Sequence, residues 1–480
     1  MTSIDAGSIP LVVDLDGTLI RGDLLHESAL RLVSREPWRV FQLPFWLGQG
    51  KASMKRRIAE RVDLDLDSIP VHDELLAWVR SERKSGRKIV LCSASDDKYV
   101  QGMASRFGGI DEVIASDGVT NISARRKAEA LESRYGVKGF DYVGNSRDDL
   151  HVWRSARRGV VVNASERLGR AARAAVDIER EFSIGVRHLR LWLKAMRLQQ
   201  WAKNLLVFLP LLASHRYDDL AALGSTLIAF FAFGLCASAV YLVNDLSDLE
   251  SDRAHPRKRL RPFAAGTLSA GKGAAVSGVL AVAAFVLASF VNLQFVAWLA
   301  VYLGITLYYT FVLKRKVLVD ALALAALYTI RILAGGAAAG VWPGFWLLAL
   351  SLFLFLSLAF VKRYSELGFV KAKGLEGARG RDYLITDLPL IESFGIASGF
   401  AAVVVLALYM NGDTIVGLYP HQEVVWLTVP ILLYWITRIW VKAHRGEMDD
   451  DPVVFAMTDR LSLLSILAFV ATLVVASIRW

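Results

Sequence analysis

Four side chains suited to metal binding follow a long apolar segment at residues 220–243: Asn244, Asp245, Asp248 and Asp252. If the helical pitch of that segment continues, the three aspartates fall at i, i+3 and i+7 and share one face. Carboxylates crowded on one face repel each other unless a cation lies between them, and hard oxygen ligands suit Mg²⁺. The spacing therefore predicts a magnesium site at the mouth of a membrane helix.

Basic side chains follow these carboxylates closely. They are Arg253, His255, Arg257, Lys258, Arg259, Arg261 and Lys272. Carboxylates that hold a metal, followed by cations that hold phosphate oxygens, are the groups that a Mg²⁺-diphosphate needs. The alternative is a solvated charged loop beside a membrane, but such loops are normally basic without an ordered row of acids. The order of charges favours a diphosphate site.

A second acidic motif lies near the start of the chain. Residues 9–13 form a short apolar strand that leads into Asp14, Asp16 and Gly17. Two aspartates two residues apart at the carboxyl end of a strand can divide the work of phosphoryl transfer, because one attacks phosphorus while the other moves the proton. The alternative is an ordinary acidic turn after a buried strand.

Three later features fit the same chemistry. Ser93 ends a second apolar strand and offers a hydroxyl to a phosphate oxygen, and Lys127 can neutralise developing charge. A third acidic turn, residues 144–149, follows Tyr142 and Val143. Together these features favour a phosphatase site over a lone acidic turn.

This order of motifs resembles the haloacid dehalogenase superfamily of Mg²⁺-dependent phosphatases over about residues 8–165. The resemblance implies a Rossmann-like α/β domain with ligands at the strand ends. It implies that Asp14 is the nucleophile, that Asp16 is the general acid/base, and that Ser93 and Lys127 bind phosphate. The implied magnesium ligands are Asp14, Asp16, Asn145 and Asp149. Asn145 stands where the family usually has an acid, and an amide oxygen still ligates Mg²⁺.

The segments beside this domain have their own patterns. Residues 21–84 are predicted to form a helical cap, in which the aromatic residues between Trp38 and Trp46 are interpreted as cap core rather than as a lipid-binding face. Residues 1–165 would then be the phosphatase domain. Residues 166–200 lack a strand pattern and are predicted to be a linker with an interfacial amphipathic helix, or an ordinary inter-domain helix.

Residues 201–480 have the composition of a polytopic membrane domain, and the chain as a whole is 54% hydrophobic. Nine apolar segments are predicted as transmembrane helices: residues 204–214, 220–243, 273–292, 295–313, 317–338, 345–361, 391–410, 424–441 and 461–479. The net charge of +10 could indicate a nucleic-acid partner. The Lys and Arg residues are instead concentrated in alternate loops of the membrane half, so we expect no nucleic acid.

The loop charges also predict an orientation. With the N-terminus in the cytosol, as expected because no signal peptide precedes Asp5, the four inner loops hold six, three, six and three Lys and Arg residues. The outer loops hold only Arg216. This asymmetry predicts a multi-pass protein of the cytoplasmic (inner) membrane with all acidic motifs facing the cytosol. Cys92 and Cys236 are expected to be reduced core residues.

The motif Asn-Asp-x-x-Asp-x-x-x-Asp at residues 244–252 resembles that of the UbiA superfamily of intramembrane prenyltransferases. The resemblance implies an all-α fold of nine transmembrane helices over residues 190–480, with Mg²⁺-diphosphate bound by the three aspartates. Most members carry a second aspartate-rich motif after the sixth helix. Here that position holds Lys362, Arg363 and Tyr364 with the single acid Glu366.

Those four residues, together with Gln200-Trp201-x-Lys203-Asn204 and the basic run from Asp252 to Pro262, resemble the decaprenyl-phosphate phosphoribosyltransferase branch. The resemblance implies transfer of 5-phosphoribosyl from phosphoribosyl pyrophosphate to a polyprenyl phosphate, with release of pyrophosphate. Substrate contacts are then expected from Asn244, Arg253, Lys258, Arg261, Lys362, Arg363, Tyr364 and Glu366.

Polar residues inside or at the edge of apolar segments add candidates. Arg331 lies near Tyr328 in the fifth segment, where an arginine either contacts substrate or is carefully paired, and substrate contact is favoured. Lys203 either binds phosphate or is a boundary residue. Asp320 is interpreted as a boundary charge or as a partner near Arg331. The acids of residues 449–459 are interpreted as a solvated loop.

The two halves suggest consecutive reactions. Phosphoribosyl transfer leaves a lipid with a terminal 5-phosphate, which the phosphatase domain could remove. One alternative is transfer of a prenyl group from a polyprenyl diphosphate to an aromatic acceptor, and another is a transporter with a regulatory soluble domain. The few acids after the sixth segment argue against the first, and the one-sided placement of acids argues against the second. Lipid chain length and oligomeric state stay open.

Overall fold

The computed structural model describes residues 9–183, 188–374, 381–412, 419–448 and 451–478. The chain divides into two compact units. The first contains residues 1–195 and 242–275, and the second contains residues 196–241 and 276–480. The long helix Leu220–Ser247 and the helix Ala270–Ser289 each contribute residues to both units.

A parallel six-stranded sheet in the order β3-β2-β1-β4-β5-β6 forms the centre of the first unit. Its strands are β1 Leu11–Asp14, β2 Ile89–Asp96, β3 Glu112–Ser116, β4 Asp141–Gly144, β5 Arg158–Val162 and β6 Asp177–Phe182. The central strands are almost entirely buried, as expected for a parallel sheet that is covered on both faces. The strand order reverses at β1, which places the ends of β1 and β4 beside a crevice suited to a ligand.

Helices connect and cover these strands. They are α1 Leu24–Arg35, α2 Leu43–Gly48, α3 Lys51–Ala59, α4 Asp73–Lys84, α5 Asp97–Phe107, α6 Arg125–Tyr135, α7 Asp149–Ser155, α8 Glu166–Ala175 and α9 His188–Ala195. Short 3-10 helices lie at Pro37–Phe41 and Leu66–Ser68. Leu75, Trp78 and Val79 of α4 pack into the sheet core, whereas Trp46 packs with Leu32 of α1 in a separate cap core.

Two expectations for this unit were wrong. Residues 166–200 contain a strand, since β6 pairs with β5 at the edge of the sheet. The sequence shows no strand pattern here because an edge strand exposes most of its side chains, and only Ile178 and Phe182 of β6 are apolar. The expectation that the aromatic residues of the cap form its core holds only for Trp46, which is buried. Trp38, Phe41 and Phe45 are exposed.

The second unit is helical. With the two shared helices, its long members are α11 Leu220–Ser247, α13 Ala270–Ser289, α14 Leu293–Phe311, α15 Val319–Ala339, α16 Phe345–Ala372, α17 Leu388–Met410, α19 Thr428–His444 and α21 Arg460–Ser477. Shorter helices are α10 Leu209–Ala213, α12 Leu249–Ala254 in the first unit, α18 Gln422–Val425 and α20 Pro452–Thr458. Further 3-10 helices are Leu198–Phe208, Lys258–Leu260, Leu313–Arg315 and Ile385–Asp387.

Within the described ranges, eight helices are long and apolar enough to cross a membrane. They correspond to the second to ninth predicted segments, which confirms a multi-pass membrane domain. The first predicted segment is not a long helix but the 3-10 helix Leu198–Phe208 followed by α10. Pro210 lies in the first turn of α10, so the segment is divided into two shorter helices and is not one long helix.

Candidate active sites

Asp14, the expected nucleophile, ends β1 and is buried. One carboxylate oxygen accepts a hydrogen bond from Lys127 Nζ at 2.7 Å, and the other accepts one from Thr18 Oγ1 at 2.8 Å. Burial raises the pKa of Asp14 to about 7; Lys127 opposes this shift, while Asp149 and Asp16 add to it. The two hydrogen bonds hold the carboxylate in place, and a further cation beside it would stabilise its ionised form.

Asp16 lies on the other side of the same turn. One oxygen accepts the backbone N–H of Leu24 at 2.8 Å, and the other accepts the hydroxyls of Ser93 at 2.7 Å and Ser95 at 2.8 Å. Burial raises the pKa of Asp16. The sequence predicted Ser93 as a residue of this site but not Ser95, although side chains two residues apart on a strand share a face.

The third acidic turn meets the first at Gly17 and Asn145. Gly17 has φ +72°, and a Cβ atom there would overlap the side-chain amide of Asn145. Asp149 accepts the backbone N–H groups of Asn145 at 3.0 Å and Ser146 at 2.9 Å, the Ser146 hydroxyl at 2.8 Å and the Tyr142 hydroxyl at 2.6 Å. Three of these bonds end on Oδ2 and the one from Tyr142 ends on Oδ1, so Asp149 orders the turn while Oδ1 keeps an acceptor position.

Tyr142 was missed by sequence reasoning because a tyrosine in a buried strand has the pattern of a core residue. Its hydroxyl accepts a hydrogen bond from Lys127 Nζ at 3.1 Å and donates to Asp149. It therefore links the phosphate-binding lysine to the third turn. The donor types at the first and third turns fit magnesium, since Asp14 and Asp16 are carboxylates with raised pKa values and the side-chain amide of Asn145 lies against Gly17 of the first turn.

The aspartate-rich motif crosses a break between two helices. α11 ends at Ser247 and α12 begins at Leu249. Backbone hydrogen bonds from Asp248 N to Asn244 O at 3.0 Å and from Asp252 N to Asp248 O at 2.8 Å keep the four-residue spacing across the break. The expected single face is therefore retained without a continuous helix.

Asp245 and Asp252 converge on one guanidinium. Each is only 3% exposed, and Arg261 Nη1 lies 3.2 Å from Asp245 Oδ1 and 2.7 Å from Asp252 Oδ2. Burial raises the pKa of Asp252 to about 6; Arg261 opposes this, and Asp245 and Asp248 add to it. Arg261 occupies the place between carboxylates in which the sequence predicts a cation.

This carboxylate set suits a metal that is shared with a substrate. In the part of the chain that the structure describes, no group of three or more acidic, His or Cys side chains encloses a metal position. Mg²⁺ usually takes one or two protein carboxylates and completes its shell with phosphate oxygens and water. Asp245 and Asp252 supply such a pair, with Asp248 near enough to raise the pKa of Asp252.

Two other residues of this stretch have local partners. Arg253 donates to Glu27 through both terminal nitrogens at 2.8 Å and to the backbone oxygen of Ala264 at 3.2 Å. Lys258 begins a short 3-10 helix, and its backbone N–H donates to His255 Nδ1 at 3.2 Å. The guanidinium of Arg253 is thus directed to α1 of the cap.

In the second unit, Lys203, Tyr328 and Lys362 come together around Asp451. Lys203 is buried and forms an ion pair with Asp451, and Lys362 Nζ lies 3.9 Å from the same carboxylate. The Lys203 ammonium lies 5.8 Å from the centre of the Tyr328 ring. These contacts define the lysine cluster: Lys203, Lys362, Asp451 and Tyr328.

The interpretation of residues 449–459 as a solvated loop was wrong for Asp451, which is mostly buried. Asp449 and Asp450 lie outside the described residues. Asp451 also accepts the backbone N–H groups of Val453 and Val454 at the start of α20. An aspartate directly before a proline that opens a helix is a capping signal, and that signal distinguished Asp451 from its neighbours.

Arg331 is buried in α15 and has neutral partners. It donates to Asn204 Oδ1 at 3.0 Å, to the Leu327 backbone oxygen at 2.8 Å and to the Tyr302 hydroxyl at 3.0 Å. Among the residues that the structure describes, these hydrogen-bond partners of Arg331 are all uncharged, and the buried Nδ2 of Asn204 has no hydrogen-bond partner. The pair offers positive charge and an unused donor to an anion.

The remaining predicted site residues form a separate network. Arg363 is buried, lies 2.5 Å from Asp320 and bonds to Glu366 and to the Tyr309 hydroxyl. Asp320 is fully buried and also accepts from the Tyr383 hydroxyl, so it is neither a boundary charge nor a partner near Arg331. Tyr364 contacts His444. The position of the missing second acidic motif is therefore occupied by an internally paired arginine.

Comparison with known proteins identifies both halves. A model of the UbiA prenyltransferase family matches residues 205–376, and a model of haloacid dehalogenase-like hydrolases matches residues 11–154. A decaprenyl-phosphate phosphoribosyltransferase of Mycolicibacterium smegmatis is 31% identical over 289 residues, which cover 58% of this chain and 90% of that protein. The chain belongs to the UbiA prenyltransferase family. Its N-terminal part is a haloacid dehalogenase-like domain.

Two further relatives are similar to this UbiA-family chain. An uncharacterized protein of Sinorhizobium fredii, y4nM, is 36% identical over 458 residues, which cover 95% of this chain and 88% of that protein. Nodulation protein NoeC of Azorhizobium caulinodans is 36% identical over 281 residues, which cover 58% of this chain and 91% of that protein. The UbiA-family chain is an enzyme with a membrane transferase domain and a phosphatase-type domain.

Proposed function

We propose that this UbiA-family enzyme transfers 5-phosphoribosyl from phosphoribosyl pyrophosphate to a polyprenyl phosphate. The observation that carries the proposal is the environment of Arg331, a buried guanidinium with neutral partners beside the unused amide of Asn204. A buried cation of this kind is stabilised by an anion such as the phosphate of a lipid. The similarity to a protein named decaprenyl-phosphate phosphoribosyltransferase supports the same substrate class.

The donor is assigned to the aspartate-rich motif. Magnesium held by Asp245, Asp248 and Asp252 would neutralise the pyrophosphate group as it leaves. Arg261, which now lies between Asp245 and Asp252, turns to the phosphate oxygens when the donor is bound. Its positive charge stabilises the leaving pyrophosphate.

The acceptor is assigned to Arg331, Asn204 and the lysine cluster. These groups bind the phosphate of the polyprenyl phosphate, and one of its oxygens attacks the anomeric carbon of the donor. A bond forms between that oxygen and the carbon, and the bond from the carbon to the pyrophosphate oxygen breaks. The electron pair leaves with pyrophosphate, and an ionised acceptor phosphate has no proton to give up.

The haloacid dehalogenase-like domain is assigned the next step. Asp14 attacks the phosphorus of the terminal 5-phosphate, and Asp16 gives a proton to the departing ribose oxygen. Lys127 balances the charge on Asp14 and the phosphoryl group. Water then releases phosphate from Asp14. Fusion of the two domains gives the phosphatase site an effective concentration of about millimolar for the product of the transferase.

The proposed location is the cytoplasmic membrane, with the phosphatase domain and all acidic motifs in the cytosol. The support is the loop charge, since the inner loops carry the Lys and Arg residues and the outer loops carry only Arg216. This asymmetry is the usual determinant of orientation.

The experiment uses purified full-length protein, Mg²⁺, polyprenyl phosphate and phosphoribosyl pyrophosphate, with release of pyrophosphate as the readout. Asp245→Asn should lower the rate by about 10²–10³-fold, as expected for loss of a charge-stabilising group. The matched control is Glu250→Gln, an acid in the same stretch that pairs with Arg31. A prenylated aromatic product from a prenyl diphosphate, without transfer from phosphoribosyl pyrophosphate, would overturn the proposal.

A further inference from the structure

The segment Pro37–Gly48, here called the cap tip, exposes a cluster of large apolar side chains. Phe41 is 83% exposed and Phe45 is 67% exposed, and Trp38, Val40 and Leu47 are also exposed. Trp46 of the same segment is buried in the cap core and anchors it. Five large apolar side chains exposed within ten residues of a folded domain favour a surface that binds a partner.

The cap tip follows a helix that contacts the loop between two membrane helices. Glu27 and Arg31 of α1 pair with Arg253 and Glu250, and the His26 ring lies against Gly271 near the start of α13. That loop joins α11 to α13, both long and apolar enough to cross a membrane. The cap is therefore bound to the loop that joins two helices long and apolar enough to cross a membrane, and this connection indicates a lipid surface as the partner.

The charge around the cap tip fits the same partner. Between residues 35 and 61 the basic residues that reach the surface are Arg35, Arg39, Lys51, Arg57 and Arg61, against two acids, Glu36 and Glu60. Lys55 is buried and bonds to Ala94 and Asn121, and Arg56 pairs with Asp96. The Arg39 guanidinium lies 4.6 Å from the centre of the Trp38 ring. Aromatic and aliphatic side chains with interleaved cations are typical of segments that lie in the interface of an anionic membrane. A second copy would bring like charges together.

We propose that the cap tip is a lipid-contact surface that inserts Phe41 and Phe45 into the headgroup region of an anionic membrane. Trp38 and Arg39 lie at the interface, where an amphipathic aromatic ring and a cation are both stabilised. The contact holds the cap, and with it the phosphatase site, beside a substrate whose polyprenyl chain stays in the bilayer. This last consequence rests on the proposed function, whereas the lipid contact itself does not.

The contact is tested with full-length protein in nanodiscs that contain phosphatidylglycerol and a spin-labelled phospholipid. A bimane fluorophore is attached at Phe41→Cys; both native cysteines are buried, which favours selective labelling. Val137→Cys is the matched control, because Val137 is an exposed apolar residue of the same unit. We expect quenching of about twofold or more at position 41 and none at position 137.

Equal quenching at the two positions overturns the proposal. Self-quenching of Phe41→Cys in the absence of the spin label also overturns it, in favour of a second copy as the partner. The double substitution Phe41→Asp with Phe45→Asp tests the consequence for activity. Dephosphorylation of the ribosylated lipid should fall by about tenfold, as expected when burial of apolar groups in lipid is lost, while hydrolysis of a soluble aryl phosphate stays unchanged.

Failure of the proposed function and failure of the lipid contact give different experimental results. If the wild-type protein does not dephosphorylate the ribosylated lipid, the assignment of the phosphatase substrate is wrong, and the quenching experiment still decides the lipid contact. If both activities of the double variant fall equally, the cap tip acts on folding and the link between lipid contact and activity is wrong.

Discussion

Glu27 accepts two hydrogen bonds from the guanidinium of Arg253, each 2.8 Å long, and each side chain is only 6% exposed. Glu27 belongs to α1 of the cap, and Arg253 follows the last aspartate of the transferase motif. A planar guanidinium and a carboxylate match in this two-bonded geometry, which an ammonium would not reproduce. The pair fastens the phosphatase cap to α12.

The first prediction concerns this pair. Glu27→Gln leaves the charge of Arg253 buried without a carboxylate, and breaking a buried pair in this way costs about 3–5 kcal/mol. We expect faster hydrogen exchange at the backbone amides of residues 249–254, measured by mass spectrometry on the full-length protein. The matched control is Arg31→Gln, which breaks the more exposed pair with Glu250 between the same helices and should cost less than about 1 kcal/mol. Equal exchange in both variants would contradict a special role for Glu27.

The second prediction concerns Arg331. Its described partners are neutral, so Arg331→Met removes a buried charge without orphaning a carboxylate. We expect the thermal midpoint to be retained, while the KM for polyprenyl phosphate rises by about 10–100-fold, as expected from loss of a charge-assisted hydrogen bond of about 1.5–3 kcal/mol. The KM for phosphoribosyl pyrophosphate should change little.

Arg363→Met is the comparison for Arg331. Arg363 pairs with the fully buried Asp320, so its removal leaves a buried carboxylate and should lower the thermal midpoint. If Arg331→Met loses stability as Arg363→Met does and leaves the KM for the lipid unchanged, Arg331 has only a structural role.

The third prediction concerns Asp451. Asp451→Asn leaves Lys203 and Lys362 close together without their shared carboxylate, at a cost of about 3–5 kcal/mol. Burial by itself raises the pKa of Asp451, but Lys203 and Lys362 outweigh it and the net pKa is lowered, so the carboxylate is ionised at neutral pH. We expect a lower thermal midpoint, partly restored by saturating polyprenyl phosphate, because a bound anion replaces the lost charge.

Glu447→Gln is the control for Asp451, since it removes an exposed partner of Lys442 and should cost less than about 1 kcal/mol. Restoration by the lipid phosphate should be specific to Asp451→Asn. An equal shift of both variants by the lipid would show that the lysine cluster does not bind the phosphate.

The fourth prediction concerns Ser95, which donates to the same oxygen of Asp16 as Ser93 does. Ser95→Ala should lower kcat of the phosphatase by about tenfold, the effect of one hydrogen bond to a charged group of about 1.5 kcal/mol. Transfer of phosphoribosyl, measured as pyrophosphate release, should be unchanged. Ser146→Ala, which removes one of the four donors to Asp149, is a control that tests the third turn separately. Unchanged phosphatase kcat in Ser95→Ala would contradict a role for Ser95.

The sequence predicted the features that depend on local composition. Eight apolar segments became long helices because twenty or so apolar residues have few alternatives in a membrane. Asp14, Asp16 and Ser93 met because parallel strands end at one edge of the sheet. The aspartates of the second motif stayed on one face although the helix breaks at Asp248.

The features that were missed depend on contacts between distant parts of the chain. Asp451 reaches Lys203 across 248 residues, and Glu27 reaches Arg253 across 226. The strand β6 has too few apolar residues to show a period of two. Tyr142 looked like core because its hydroxyl partners, Lys127 and Asp149, are known only from the fold.

The measurement that tests the central claim most directly is mass spectrometry of the lipids formed from polyprenyl phosphate and phosphoribosyl pyrophosphate by the wild-type protein and by Asp14→Asn. The wild type should accumulate polyprenyl-phosphoryl-ribose, and Asp14→Asn should accumulate the same lipid with a terminal 5-phosphate, at an equal rate of pyrophosphate release. A lipid pool without any ribosylated species in either protein would contradict the account.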